Sequence, residues 1–216
     1  MNHVHYSENL LRVRERIAQA AEASGRDPSS IKLIAVSKTQ PVDAIRALYD
    51  LGQRDFGENR LQEAIPKIES LPPDITWHFI GHLQSNKAKR MAEYFTVVHT
   101  LSATSQIKAL TDQSHDIEGL IEINSGREPQ KSGILIENLA SFRELVLQCS
   151  RIHFRGLMTV GPAVANQEDI RPFFREVAAA SLDGWLSMGM SDSLEVGIQE
   201  GATHVRIGTS LFGERG

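Results

Sequence analysis

One cysteine, Cys149, stands in 216 residues, so an intrachain disulfide is excluded, and with it the stapled scaffolds of small secreted domains. No apolar run approaches the ~20 residues that cross a bilayer. The opening MNHVHYSENLLRVRERI lacks a basic stretch followed by an apolar one, so no secretory leader is expected. Basic excess is lacking too: a formal charge of −4 argues against a nucleic-acid partner or an anionic membrane surface. Linkers rich in Gly, Ser or Pro and low-complexity stretches are absent. One domain over residues 1–216, placed in the cytoplasm, is therefore expected. What is present is a 41% hydrophobic content, ample for a large core.

The apolar residues fall into alternating helical and strand-like periods. Leu10, Val13, Ile17 and Ala21 line one face of a helix expected over 8–23. Eight short strand-like runs follow, at 33–36, 54–56, 77–80, 96–101, 120–123, 152–158, 185–187 and 204–207. Between them lie helical patterns. One carries Val42, Ile45 and Leu48; another spans 58–71 with Pro66 inside; others cover 85–94, 103–113 and 168–181. A longer one carries Leu135, Leu139, Phe142, Val146 and Cys149, and a last one Leu194 and Ile198. Such alternation implies an α/β fold with a parallel sheet and right-handed crossovers. Eight units close into a single (β/α)8 TIM barrel with an extra N-terminal helix. A doubly wound open sheet competes, but it brings a glycine fingerprint after its first strand. Here that place is held by Ser37-Lys38-Thr39-Gln40-Pro41.

A barrel of this type works at the C-terminal ends of its strands, with phosphates often held after strands seven and eight. Lys38 ends strand one on the face of Ile34 and Val36. A desolvated lysine there forms a Schiff base with an aldehyde; the plain alternative is a solvated strand-end lysine. After strand seven, Ser187 offers a hydroxyl to a phosphate and Gly189 a tight turn, while Ser191 reads better as a helix cap. After strand eight, Arg206 points inward between the outward Val205 and Ile207, and Gly208 and Thr209 offer a cradle for phosphate. An arginine paired with a carboxylate is the alternative there. His78 and His82 reach the end of strand three without a third metal ligand, so no metal is assigned. Lys87 sits in a basic helix surface with Asn86, Lys89 and Arg90, Lys131 reaches towards the rim, and Cys149 joins an apolar stripe.

At these residues the chain resembles the pyridoxal phosphate homeostasis proteins of the YggS and PROSC type. The likeness runs through LIAVSKT at 33–39, FGEN at 56–59, WHFIGHLQSNK at 77–87, QKSG at 130–133, RGLMT at 155–159, LSMGMSD at 186–192 and VRIGT at 205–209. It implies the N-terminal barrel of alanine racemase, with pyridoxal 5′-phosphate (PLP) on Lys38. It places Ser187, Gly208 and Thr209 at the phosphate, Arg206 at the pyridine nitrogen and Asn59 near the ring. The implied role is that of a PLP carrier or buffer without an established reaction, a monomer that serves apo-forms of PLP-dependent enzymes. A weak amino-acid racemase is the alternative. Racemisation needs a second base opposite the lysine, and Tyr6, Tyr49 and Tyr94 all map to helices. Residues 124–129 and the short segment between Phe174 and Leu186 depart from the family's pattern.

Overall fold

The computed structural model describes residues 3–181 and 184–213. Its centre is a ring of eight parallel strands, β1 (Lys32–Val36), β2 (Asp55–Glu58), β3 (Thr76–Phe79), β4 (Val97–Leu101), β5 (Ile117–Glu122), β6 (Ile152–Met158), β7 (Trp185–Ser187) and β8 (His204–Ile207). They pair in chain order into a closed barrel. β8 closes on β1 in a register running from Lys32 opposite His204 to Ala35 opposite Ile207. A helix, α1 (His3–Ala23), precedes the ring. Around it lie α2 (Val42–Asp50), α3 (Leu61–Ser70), α4 (Ala88–Ala92), α5 (Thr104–Thr111), α6 (Leu139–Gln148), α7 (Arg171–Ala180), α8 (Leu194–Gln199) and α9 (Thr209–Phe212).

The alternation of side chains along each strand divides the core in two. Outward residues such as Leu33, Ala35, Phe56, Trp77, Val98, Ile121, Leu157, Val205 and Ile207 are buried under the helices. Val205 and Ile207 thus take the outward positions expected of them. Inside the ring the apolar filling is limited to the fully buried Ile34, level with Arg206, and a small cluster of Val97, Leu120 and Met158 with Trp185 packed on it. Much of the interior is polar. Asp55, His78, His99, Glu122, Ser187, His204 and Arg206 occupy the inward positions, and all but Asp55 are buried.

α1 is fixed across the seam between β8 and β1. Its buried face is formed by Leu10, Val13, Ile17, Ala20 and Ala21, as the period predicts. Its polar side is tied to the last two loops. Arg16 forms a bidentate pair with Glu195 at 2.7 and 2.9 Å and donates to the carbonyl of Ser191 at 2.9 Å. Asn9 donates to the carbonyl of Leu211 at 3.0 Å.

Several boundaries differ from expectation. β2 runs through Glu58, which the sequence pattern assigns to a helix; α3 begins at Leu61 and continues through Pro66. β5 begins at Ile117 because Gly119 hides the strand pattern. A side chain there would bring its Cβ within 2.6 Å of Ile152 Cγ2. The helix expected over 85–94 is a 3-10 turn at Ser85–Lys87 followed by the short α4. Ser85 and Asn86 suit a turn better than a helix interior. Tyr94 consequently lies beyond α4, not in a helix. Leu135 precedes a 3-10 turn at Ile136–Asn138 and is exposed, so the buried stripe of α6 keeps Phe142 and Val146, with Cys149 buried at its end. The short segment between Phe174 and Leu186 includes residues 182 and 183, which lie outside the described residues.

The interior histidines make stability depend on pH. Burial, together with the nearby His78 and Lys32, pushes the imidazole of His204 down to about 3. An unfolded chain binds a proton there below its ordinary value of about 6.5. Stability contributed by the neutral ring is therefore complete above that value and is lost as pH falls towards 3. Urea denaturation of a His204→Gln variant is expected to remove about 2 to 3 kcal/mol of the stability difference between pH 7 and pH 4.5 shown by the native chain.

Candidate cofactor site

The turn after β1 is held by a buried ionic cluster. Ser37 donates from its hydroxyl to Glu58 Oε1 at 2.7 Å, and Glu58 is fully buried at the end of β2. Lys67 of α3 reaches the same carboxylate oxygen at 2.9 Å, the Ser37 carbonyl at 3.0 Å and Glu63 Oε1 at 2.8 Å. Glu63 in turn accepts from the backbone N–H of Thr39. Thr39 adopts a φ of +65°, a left-handed conformation a β-branched residue rarely takes. Lys38 is thus bracketed by two residues fixed from α3 and β2. Burial raises the carboxyl of Glu58 above its usual range in spite of Lys67 and Ser37. Burial acts the same way on Glu63, but its bonds from Lys67 and Thr39 prevail and lower it.

On the neighbouring strand, Arg206 is buried near the end of β8. It donates to Ser187 Oγ at 2.6 Å and to the Thr159 carbonyl at 2.9 Å, so its bonds go to a hydroxyl and a carbonyl rather than to a carboxylate. Burial lowers it to about 10, opposed by Glu122, and it keeps its charge at neutral pH. Glu122 is pushed up to about 7 by burial, with the charge of Arg206 pulling the other way.

Lys38, Asn59, Arg206, Gly208 and Thr209 line one cavity of about 370 Å³ at the C-terminal ends of β1, β2 and β8. Five of the six residues named from the sequence are therefore brought together. Asn59 is set there by Gly81, where a Cβ would come 2.1 Å from the Asn59 carbonyl oxygen. Its Oδ1 is buried and makes no hydrogen bond within the described residues, an acceptor left for something in the cavity. Ser187 is the exception. It is fully buried inside the ring, its hydroxyl taken by Arg206 and by His99 at 3.0 Å, because β7 turns it inward one layer below the mouth. Ser191, which reads as a cap, lines the cavity instead, and the side chain capping that turn is Ser193, which accepts from the Met190 N–H at 3.1 Å.

The other polar candidates separate. His78 lies in the barrel interior rather than at the mouth, since strand alternation turns it inward. His82 sits on the following loop, 3.1 Å from Ser132 Oγ. Lys87 lines a different cavity, of about 460 Å³, with Asn59, Arg60 and His82. Lys131 is engaged by Glu128 at 2.6 Å and by the Gly161 carbonyl at 3.2 Å. Among the described residues no cluster of metal-binding side chains occurs and no helix is long and apolar enough to cross a membrane.

Residues 9–216 match the family model described as the alanine racemase N-terminal domain. The chain is 41% identical to the pyridoxal phosphate homeostasis protein of Aquifex aeolicus and 42% identical to that of Pseudomonas aeruginosa. These alignments cover 96% and 97% of this chain and 97% and 95% of the relatives. The chain belongs to the pyridoxal phosphate homeostasis proteins of the alanine racemase N-terminal domain family. Among solved structures it is similar to PipY of Synechococcus elongatus with PLP bound, at a TM-score of 0.81 and 31% identity over 96% of this chain and 99% of that one. The alanine racemase of Corynebacterium glutamicum shares the fold, at a TM-score of 0.73 and 17% identity over 99% of this chain and 62% of that one.

Within this member of the family the Glu58–Lys67 pair is open to a direct test. Lys67→Met leaves a buried carboxylate uncompensated and is expected to cost about 3 kcal/mol in chemical denaturation. The double variant Glu58→Gln/Lys67→Met is expected to recover a large part of that loss, the sign of a coupled buried pair.

Proposed function

We propose that this chain binds pyridoxal 5′-phosphate in the cavity beside Lys38 and carries or buffers it, serving vitamin B6 and amino-acid homeostasis in the cytoplasm. The observation that carries this reading is the shared cavity itself. One amine, one fixed guanidinium, one unsatisfied amide oxygen and a hydroxyl-lined rim fit the cofactor's aldehyde, ring nitrogen, ring substituent and phosphate. The names of the curated relatives and the PLP-bound PipY structure support the same ligand.

In this reading Lys38 would hold the cofactor through its aldehyde, as a Schiff base. When bound, the cofactor supplies reversible carbonyl chemistry to that amine. Arg206 would serve the ring nitrogen as a donor; having no lone pair, it could not take a proton from it, so a ring held there would be a weak electron sink. Asn59 lies beside the ring. Gly208, Thr209 and Ser191 serve the phosphate, and Ser187 serves indirectly, by holding Arg206. Apo-forms of PLP-dependent enzymes are the recipients, and the protein acts as a monomer.

The racemase alternative needs a second base at the cavity. Tyr6 packs against Phe212, Tyr49 donates to Asp74 at 2.7 Å, and Tyr94 donates to Glu69 at 2.9 Å. None of the three lines the cavity. That placement leaves racemisation without a tyrosine as its second base, which favours carriage.

The test is absorbance and mass mapping after borohydride reduction. The native protein soaked in PLP is expected to turn yellow and to carry the reduced pyridoxyl group on Lys38, while Lys38→Ala stays colourless. A tag elsewhere, or none, removes the proposal. The handover version fails separately if loaded protein activates an apo-enzyme no better than equal free PLP in the presence of a trapping agent.

A further inference from the structure

The barrel interior holds a row of hydrogen bonds that runs between its two ends. At the N-terminal end, Asp55 Oδ1 accepts from Lys32 Nζ at 3.0 Å. The same oxygen lies 2.9 Å from His78 Nε2. His78 Nδ1 is 3.0 Å from His99 Nε2, and His99 Nδ1 is 3.0 Å from Ser187 Oγ. Ser187 Oγ accepts from Arg206 at 2.6 Å, and Arg206 stands in the wall of the cavity at the opposite mouth. His78, His99, Ser187 and Arg206 are at most 5% exposed, so water does not compete with these bonds, whereas the Lys32 side chain is 43% exposed.

The carboxylate end fixes the direction of every bond in the row. A carboxylate has acceptors and no hydrogen, so His78 donates to Asp55 from Nε2. A neutral ring that donates from Nε2 accepts at Nδ1, so His99 donates to His78 from its own Nε2. By the same rule His99 accepts at Nδ1, and the hydrogen comes from Ser187 Oγ. Arginine has N–H groups and no acceptor, so Arg206 uses a lone pair of that oxygen and leaves its hydrogen for His99. Burial lowers both rings below their ordinary values, which keeps each in the neutral form this order requires. The other titratable groups facing the row are His204 of β8 and Glu122 of β5. The His204 ring meets the His99 ring edge-on, with centroids 6.4 Å apart, and Glu122 is felt by Arg206.

We propose that Asp55, His78, His99 and Ser187 form a one-directional hydrogen-bond relay that positions Arg206 as a fixed donor to the cofactor cavity from the far end of the barrel. None of the first three touches the cavity wall; they are positioning residues acting through Ser187. Each donor in a chain of this kind polarises the next, so the Asp55 charge strengthens Ser187 Oγ as an acceptor for the guanidinium. The relay is a property of the unliganded chain. Only its effect on PLP rests on the proposed function.

Two measurements decide it. In the unliganded, 15N-histidine-labelled protein at pH 7, His78 and His99 are each expected to be protonated at Nε2 and bare at Nδ1. Assignment comes from the loss of one signal set in His78→Gln or His99→Gln. Either ring found protonated at Nδ1, or at both nitrogens, in the native protein overturns the relay. Asp55→Ala, a change remote from the cavity, is then expected to shift the nitrogen signals of His99 as well as those of His78. It is also expected to weaken PLP binding about three- to tenfold, with Asp55→Asn, which keeps an acceptor, lying in between. Unmoved His99 signals together with unchanged PLP affinity overturn the coupling. Should the native protein take up no PLP at Lys38, the proposed function falls, while the tautomer measurement still decides the relay.

Discussion

A guanidinium sits inside a closed barrel without a carboxylate bonded to it, and the interior is organised around that cost. Burying an unpaired charge is expensive enough that the surroundings must answer it with hydrogen bonds. Arg206 finds a hydroxyl and a carbonyl, and the hydroxyl is itself backed by two imidazoles and a carboxylate at the other end of the ring. Glu122 lies near enough to be felt and is so desolvated that its carboxyl rises to about 7, which leaves it a weak counter-charge. The apolar filling of the ring is accordingly limited to Ile34 and the small cluster around Leu120. Most of the hydrophobic packing lies outside the strands, under the helices, where it holds the ring closed without intruding on its polar centre.

The lysine side of the cavity follows the same logic outside the ring. Glu58 and Lys67 are a buried pair, and buried pairs contribute little net stability. What they supply is geometry. Lys67 holds the carbonyl of Ser37, Glu58 its hydroxyl and Glu63 the N–H of Thr39, so the residue between them is presented from a turn with little freedom. One mouth therefore has two rigid sides, each anchored by a buried polar cluster, and a softer rim at Ser191, Gly208 and Thr209.

The alternation of strand and helix was legible, and so was the inward face of β8, because period-2 and period-3.6 patterns record burial directly. Lys38, Arg206, Gly208 and Thr209 were legible as strand-end residues on neighbouring strands, whereas Asn59 came from the family resemblance alone. Ser187 was assigned to the right strand and the wrong layer. Sequence gives the face of a residue but not its depth in the ring, and one layer separates the mouth from the interior. The histidine row was not legible at all. His78 and His99 lie 21 positions apart, and their contact depends on how far β3 and β4 are staggered, which only closure of the barrel sets. The Glu63–Lys67 spacing was visible, but an i, i+4 pair is usually a surface feature; its burial beneath the Lys38 turn depends on where α3 docks.

The extra N-terminal helix gains a purpose from the same geometry. A bare eight-unit ring has no need of it for closure, since β8 already pairs with β1 along four residues. Yet α1 places Arg16 on the carbonyl of Ser191 and on Glu195, and Asn9 on the carbonyl of Leu211. These are the loops after β7 and β8, the two segments that form the soft rim of the cavity. Short helices such as α8 and α9 have little stability of their own. Tying both to a 21-residue helix transfers to the rim the order that the strands give to the rest of the site. The helix that lies outside the repeating pattern thus braces the rim loops of the cavity from outside the ring.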